Sequence, residues 1–177
     1  MCKLTDNIEK VTNRKSKFRI EKAGISDYPE IMRVWESAVK ATHHFLKAED
    51  FEFYKKLGTI QYLPAVDLYI LRIEKTIIGF IGVSGNHLEM LFIDADFRGK
   101  GYGKVLLNYA IRSLGIATLD VNEQNEQAFA FYKKMGFRIV GCSEKDAEGK
   151  DYPILHLELM DWNKKKKDYS HVRQQNS

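Results

Sequence analysis

The chain has 177 residues, of which 44% are hydrophobic and 29% are charged, and it carries a formal net charge of +4. This length suits one domain, and the composition is that of an ordinary globular protein. No apolar run approaches the roughly 18 residues of a membrane-spanning helix, and no signal-peptide pattern is present, so we expect a cytoplasmic protein that does not cross a membrane.

Positive charge is concentrated at the two ends of the chain. Residues 1–17 and 161–177 each have an excess of three positive charges, which leaves residues 18–160 slightly acidic. We interpret 18–160 as one folded domain, 1–17 as a basic N-terminal arm and 161–177 as a basic C-terminal tail. The folded part is not basic, so we expect no nucleic-acid partner. Cys2 and Cys142 alone exclude a disulfide framework and a cysteine zinc site.

Strand and helix patterns alternate along the chain after residue 17. Alternating apolar residues predict strands, and apolar residues recurring every three or four positions predict helices. In chain order the predictions are a strand over Phe18–Ala23, a helix from Ser26 to about His44, a helix over Glu49–Leu57, strands over Val66–Ile73, Thr76–Val83 and His87–Asp94, a helix from Val105 to Leu114, a strand over Ala117–Val121, a helix over Asn125–Met135, and strands over Phe137–Cys142 and Tyr152–Met160. Turns at Glu74-Lys75 and Gly85-Asn86 join the three middle strands as hairpins. Hairpins followed by strand–helix units indicate an α/β fold, a central mixed sheet flanked by helices on both faces.

The strand over His87–Asp94 carries a carboxylate among apolar residues. A period of two places His87, Glu89, Leu91 and Ile93 on one face of this strand. The same period places Leu88, Met90 and Phe92 on the other face.

A glycine-rich loop, Arg98-Gly-Lys-Gly-Tyr-Gly-Lys104, connects this strand to the next helix. Glycine allows backbone N–H groups to turn inward, and a helix N-terminus adds partial positive charge, so the loop predicts an anion site. A dinucleotide site needs G-x-G-x-x-G, and a P-loop needs four residues between its glycines followed by Lys and Ser or Thr. Neither spacing is present.

Two motifs resemble those of the GNAT superfamily of N-acetyltransferases. Arg98-Gly-Lys-Gly101-Tyr-Gly103 is similar to the family's acyl-CoA loop, and the segment from Asn125 to Phe137 resembles its Asn-x-x-Ala-x-x-x-Tyr-x-x-x-Gly-Phe helix. The segment Trp35–Leu46 looks like one branch of small bacterial members. The resemblance covers about 18–160 and implies the GNAT fold, acetyl-CoA as cosubstrate and no metal.

The resemblance also implies roles for individual residues. Tyr132 would be the general acid for the departing thiolate, since a phenol with a reference pKa of about 10 stays protonated at neutral pH. Glu89 would accept the proton of the amine, directly or through water, although a solvated edge carboxylate is the alternative. Glu36 and His43 are candidate acceptor contacts, with a packing role as the alternative for His43. The implied cofactor-binding residues are Leu91, Phe92, Ile93, Arg98, Gly99, Lys100, Gly101, Tyr102, Gly103, Lys104, Asn125 and Tyr132. Alternatives remain for three of them: a core aromatic for Tyr132, a helix N-terminal residue for Asn125 and a solvated helix residue for Lys104.

These observations predict an enzyme that transfers an acetyl group from acetyl-CoA to a primary amine of an unidentified acceptor, a small molecule or a protein. No nucleophile for an acyl-enzyme is evident, so we expect direct attack in a ternary complex. Two other classes remain open, a non-catalytic acyl-CoA-binding module and a nucleotide-binding regulator. A monomer and a homodimer are both compatible with the sequence.

Overall fold

The structure, a computed structural model, describes residues 18–160, so the predicted arm and tail lie outside the described residues. Within this part of the chain, none of the helices has the length and apolar character that crossing a bilayer requires. The chain forms two compact units, one up to Ile116 and one from Ala117.

The first unit contains four strands and three helices. They are β1 (Phe18–Lys22), α1 (Tyr28–Thr42), α2 (Ala48–Leu57), β2 (Asp67–Ile73), β3 (Thr76–Ser84), β4 (His87–Ile93) and α3 (Tyr102–Leu114). The strands pair in chain order, and every pair is antiparallel. The predicted turns at Glu74-Lys75 and Gly85-Asn86 join β2 to β3 and β3 to β4.

Helices cover both faces of this four-stranded sheet. On one face, Ile31 and Val34 of α1 pack in a buried cluster with Ile70 and Phe80. On the other face α3 approaches Gly79, where an added Cβ would lie 3.3 Å from a Leu106 methyl group. The same Cβ would lie 2.9 Å from the carbonyl oxygen of Phe92, so only glycine lets β4 and α3 come this close.

The second unit contains β5 (Thr118–Asn122), α4 (Glu126–Lys134), β6 (Phe137–Ser143) and β7 (Ile154–Leu159). Strand β7 lies between β5 and β6 and is antiparallel to both. Leu157, opposite Leu119, is buried, and Tyr132 of α4 packs against Phe137 with ring centroids 6.0 Å apart. One face of this small sheet is therefore apolar.

Every predicted strand and helix is present, and the differences concern their ends. The last strand begins at Ile154 rather than Tyr152, since Pro153 has no N–H to offer a strand partner. Helix α1 ends at Thr42 rather than His44. Gly58 does not end the helical path after α2, because a π turn over Gly58–Tyr62 continues it.

The predicted faces of β4 are wrong for its first residues. Leu91 lies opposite Ile81 and Met90 opposite Gly82, but Leu88 lies opposite Val83, so Glu89 is an additional residue in a β-bulge. The bulge reverses the alternation, and Leu88 therefore shares a face with Leu91 instead of with Met90.

The end of β4 is fixed by the buried carboxylate of Asp94. Its oxygens accept hydrogen bonds from the guanidinium of Arg33, from the Ser37 hydroxyl at 3.0 Å and from the Asp96 backbone N–H at 3.2 Å. The Ser37 oxygen in turn accepts the Ala95 N–H at 3.1 Å. Burial by itself would raise the pKa of Asp94, but these hydrogen bonds and the Arg33 charge outweigh it and lower that pKa.

Replacing Asp94 by Asn should destabilise the protein by about 2–3 kcal/mol at pH 7, because Arg33 and Ser37 lose a charged acceptor. Because the pKa of Asp94 is lowered by folding, its carboxylate contributes its full stabilisation above pH ~4. This stabilisation is lost as the pH falls through the pKa of Asp94 in the folded protein. Urea unfolding of the two proteins at several pH values measures the difference, which should narrow below pH ~4.

Asp96→Asn is the matched control, since Asp96 is exposed and only two residues away. It should change the free energy of unfolding by less than about 0.5 kcal/mol. Equal losses in the two variants would contradict the role assigned to Asp94.

Candidate functional site

The glycine loop leads from β4 into α3 with two residues in the left-handed region. Gly99 has φ 73° and Gly101 has φ 87°, and an added Cβ at either would meet nothing within 4 Å. Glycine is needed there for its backbone conformation and not for space. Gly103 lies inside α3, whose first intrahelical bond runs from the Val105 N–H to the Gly101 carbonyl at 3.1 Å. The preceding N–H groups have no partner within the helix, and together with the helix dipole they are suited to an anion.

Cationic side chains surround this loop. Arg98 donates to the Ala41 carbonyl at the end of α1 over 3.4 Å. Lys100 donates to the Asp96 carbonyl at 2.9 Å and lies 5.1 Å from the centre of the Phe97 ring. Lys104 is exposed on the first turn of α3. The loop therefore combines backbone donors with positive charge, as an acidic ligand requires.

Tyr102, the first residue of α3, is held by aromatic contacts. Its ring centroid lies 6.2 Å from that of Phe18 and 6.3 Å from that of Phe97. These contacts fix the start of α3. The backbone N–H of Tyr102 is one of the donors available there to an anion.

Leu91, Phe92 and Ile93 are paired with β3 and differ in exposure. Ile93 is buried and lies opposite Gly79. The Phe92 side chain packs against the core cluster, 5.5 Å from the Phe80 ring. Because the side chains of Phe92 and Ile93 pack inward, a ligand would contact the backbone of these two residues rather than their side chains.

His43 is brought to the same place as Phe92 and Arg98. Its ring lies 6.4 Å from the Phe92 ring and 5.3 Å from the Phe45 ring, and its Nδ1 is 2.6 Å from the Thr42 hydroxyl. Burial and the neighbouring Arg98 and His44 lower the pKa of His43 to about 4. At neutral pH its imidazole is uncharged.

Glu36, the other candidate acceptor contact, links α1 to α2. Its carboxylate accepts from Lys40 at 2.6 Å and from Lys55 at 2.8 Å, and these hydrogen bonds lower its pKa. Such pairing favours a role in joining the two helices.

Glu89 stands on the bulge of β4, and its side chain is exposed. Bulges re-aim side chains, and here the bulge frees the carboxylate from the alternation of its strand. The position leaves Glu89 accessible to a substrate from solvent.

In the second unit, Asn125 and Tyr132 have different roles. Asn125 caps α4, because its side-chain oxygen accepts the Ala128 N–H at 3.1 Å. Tyr132 is buried beside Phe131 and Phe137, and this burial raises the pKa of its phenol above the usual value. The hydroxyl stays protonated at neutral pH.

The residues that sequence reasoning missed are those that anchor the loop, namely Arg33, Ser37 and Asp94. Arg33 and Ser37 lie one turn apart beside the buried Val34, and Asp94 directly follows the buried Ile93. The available signal was a pair of polar residues that border the apolar stripe of a helix, together with an acidic residue at the end of a buried strand. Such residues can pair with one another where the helix packs on the strand.

Comparison with known proteins identifies the family. The model of the acetyltransferase (GNAT) domain matches residues 36–153. A peptidyl-lysine N-acetyltransferase, YjaB of Escherichia coli (strain K12), is 44% identical over 129 residues, which cover 72% of this chain and 87% of that protein. Peptidyl-lysine N-acetyltransferase YiaC of the same organism is 27% identical over 72% of this chain and 88% of its own.

Solved structures agree with this result. The solution structure of apo-form YjaB from Escherichia coli has a TM-score of 0.75 and 40% sequence identity, and it covers 81% of this chain and 97% of its own. The PaiA N-acetyltransferase from Thermoplasma acidophilum, solved in complex with coenzyme A, has a TM-score of 0.63 at 22% identity, with 81% and 99% covered, and shows the shared fold.

The predicted α/β fold and the predicted N-acetyltransferase activity are both confirmed, and the comparisons favour an enzyme over the two binding-module alternatives. The chain belongs to the GNAT family of acetyl-CoA-dependent N-acetyltransferases.

Proposed function

We propose that this acetyltransferase modifies the side-chain amine of lysine in a peptide or protein, by direct attack in a ternary complex. The observation that carries the proposal is the 44% identity, over 129 residues, to a relative named as a peptidyl-lysine N-acetyltransferase. The match extends over 87% of that relative, so it includes more than the cofactor motifs.

In this proposal the glycine loop binds the pyrophosphate of acetyl-CoA. The N–H groups at the start of α3, which have no partner within the helix, and the charges of Arg98, Lys100 and Lys104 are suited to an anion. Main-chain groups of Leu91, Phe92 and Ile93 hold the pantetheine arm.

The chemistry is one acyl transfer with three proton transfers. The lysine amine, mostly protonated at neutral pH, first gives a proton to Glu89 directly or through water. It then attacks the thioester carbonyl, the departing sulfur takes the proton of the Tyr132 hydroxyl, and the second proton of the attacking nitrogen returns to the Tyr132 oxygen. The exposure of Glu89 supports its role as base, and the burial that raises the pKa of Tyr132 keeps its proton available at neutral pH.

His43 is proposed as a contact for the acceptor. Its uncharged imidazole beside Phe92 offers an apolar and hydrogen-bonding surface without repelling a cationic lysine. Glu36 already pairs with a lysine through each carboxylate oxygen, so its proposed contribution is chiefly to the position of α2.

Gly99→Ala should weaken acetyl-CoA binding, because a residue with a Cβ resists φ 73° and the loop would shift its N–H groups. We expect a rise in the KM for acetyl-CoA of about 10-fold, equivalent to ~1.4 kcal/mol. Steady-state kinetics with varied acetyl-CoA measures it.

Gly149→Ala is the matched control, since Gly149 has φ 74°, also has open space around it and lies in a turn of the second unit. Both variants should lose about 1 kcal/mol of stability, and only Gly99→Ala should raise the KM. A rise of the same size in both would show that the effect is general strain.

Tyr132→Phe should lower kcat by about 100-fold while acetyl-CoA still binds, because the change removes a proton donor from a buried ring. Stopped-flow or steady-state thiol release gives kcat, and calorimetry gives the acetyl-CoA affinity. Since burial raises the pKa of Tyr132, the wild-type rate should show no loss from phenol ionisation below pH ~10.

Tyr109→Phe tests whether loss of a partly buried hydroxyl is enough by itself. Tyr109 packs on Tyr69 with ring centroids 5.7 Å apart, within the first unit. The kcat of Tyr109→Phe should stay within about 2-fold of the wild-type value, which corresponds to less than the ~0.5 kcal/mol expected of a neutral substitution.

A Tyr132→Phe protein with the wild-type kcat would contradict the proposal that Tyr132 is the general acid.

The acceptor class is tested by free-thiol release with acetyl-CoA and an amine panel. The panel holds a peptide with one lysine and a blocked N-terminus, the same peptide with arginine for lysine, free lysine, a polyamine and an aminoglycoside. We expect release and a mass gain of one acetyl group only with the lysine peptide. Turnover of a small amine but not of the peptide would contradict the lysine proposal and leave the enzyme class intact.

A further inference from the structure

Three side chains of the second unit form a continuous hydrogen-bonded chain across its sheet. His156 on β7 lies between Asp120 on β5 and Ser143 on β6. The His156 Nδ1 is 2.7 Å from an Asp120 carboxylate oxygen, and its Nε2 is 2.7 Å from the Ser143 hydroxyl. None of these residues belongs to the acetyl-transfer site proposed above.

The two hydrogen bonds fix which nitrogen holds the proton. A carboxylate only accepts, so Nδ1–H donates to Asp120, and the other nitrogen of the neutral ring accepts the Ser143 O–H. Ser143 therefore has a base within reach of its proton, and that base is oriented by a third group. This is the arrangement that activates a serine hydroxyl as a nucleophile.

Strand pairing places the three residues on one face. Asp120 lies directly opposite His156 in the β5–β7 pair. In the β6–β7 pair, Ser143 lies opposite Ile154, two residues from His156 and on its face. Rigid strands on both sides thus hold the histidine between its partners.

A β-bulge decides the orientation of Ser143. Ile139 lies opposite Leu157, but Gly141 lies opposite His156, so Val140 is an additional residue in β6. In an unbroken ladder the alternation would turn Ser143 to the apolar face of Leu157. The bulge turns it to His156 instead, and bulges recur next to active sites.

The face is open to solvent. The side chains of His156 and Asp120 are 38% and 44% exposed to solvent, and Ser143 is half-buried. Arg138 and Glu158, an ion pair at 3.3 Å, lie opposite each other on the same face. A reagent can therefore reach the serine without a cavity having to open.

We propose that Ser143, with His156 as general base and Asp120 as the residue that orients it, is a second reactive site that takes an acyl group from activated esters. This activity goes beyond the proposed lysine acetylation and does not depend on it. Aryl esters are the substrate class, since a phenolate leaves without needing a proton donor.

The reaction balances without a further reagent. The Ser143 oxygen bonds to the ester carbonyl carbon while its proton passes to His156 Nε2, and collapse of the adduct breaks the bond to the phenolate. His156 Nε2 then releases this proton to solvent. Water attacks the acyl-serine and gives one proton to the freed Nε2. Collapse of the second adduct releases the carboxylic acid, and the Ser143 oxygen takes the proton back from His156.

Two measurements test the site in a Cys2→Ala, Cys142→Ala background, which removes competing thiols. The first is p-nitrophenolate release from p-nitrophenyl acetate. The second is labelling by a fluorophosphonate, in which the serine oxygen displaces fluoride, with the modified residue located by peptide mass spectrometry. We expect the label on Ser143.

Single variants should lower both rates. Ser143→Ala should abolish the label and His156→Gln should slow labelling by roughly 100-fold, the scale of general-base catalysis. Asp120→Asn should slow it by roughly 10-fold or more, because the ring loses its orienting carboxylate. Acetyl transfer from acetyl-CoA to the lysine peptide should be unchanged in Ser143→Ala.

Ser113→Ala and His44→Gln, both at exposed positions outside the chain of three, are the controls for ordinary surface reactivity. Both should label and hydrolyse at the parent rate. A label that spreads over other serines, or one that forms as fast in His156→Gln as in the parent, would overturn the proposal and leave the three residues a structural contact. Melting temperatures of all variants show whether a loss reflects unfolding.

Discussion

The geometry of the first unit depends on one buried carboxylate. Asp94 lies where β4 ends and the segment leading to the glycine loop begins. Its carboxylate accepts hydrogen bonds from Arg33 and Ser37 of α1 and from the Asp96 N–H. Arg33 also donates to the Ile77 carbonyl at 2.8 Å, so one guanidinium joins α1 to both β3 and the end of β4. A buried charge with several donors resists displacement, since any movement leaves a group unpaired. The loop starts from a fixed point for this reason.

The same anchor explains how a short flexible sequence holds a defined conformation. Glycine residues at 99 and 101 permit left-handed backbone but do not select it. Selection comes from the two ends of the segment, where Asp94 fixes the entry and the contacts of Tyr102 with Phe18 and Phe97 fix the exit. On the side toward α1, the His43 ring packs beside Phe92 and Arg98 donates to the Ala41 carbonyl.

The sequence predicts those parts of the molecule that depend on neighbours along the chain. Hairpin turns at Glu74-Lys75 and Gly85-Asn86, the loop before α3 and the helix with Tyr132 follow from short patterns. The Asp94–Arg33 pair spans 61 positions and has no local signature. The bulge at Glu89 cannot be predicted from the local sequence either. The alternation of side chains along β4 continues through Glu89 in the sequence, although Glu89 has no partner residue on β3. Asn125 shows the converse, since its alternative interpretation as a helix N-terminal residue needs only the local sequence, and its oxygen does cap α4.

Bulges matter for chemistry in both units. In each unit one extra residue changes which side chains share a face. That residue is Glu89 in β4 and Val140 in β6, where it redirects Ser143. The consequence differs, because Glu89 gains access to solvent, whereas Ser143 gains a base. The glycine loop depends on an ion pair between distant segments, and the position of Ser143 depends on strand pairing within β5, β6 and β7. Each arrangement can therefore be disturbed by substitutions that leave the other's contacts in place, as expected of sites supported by different interactions.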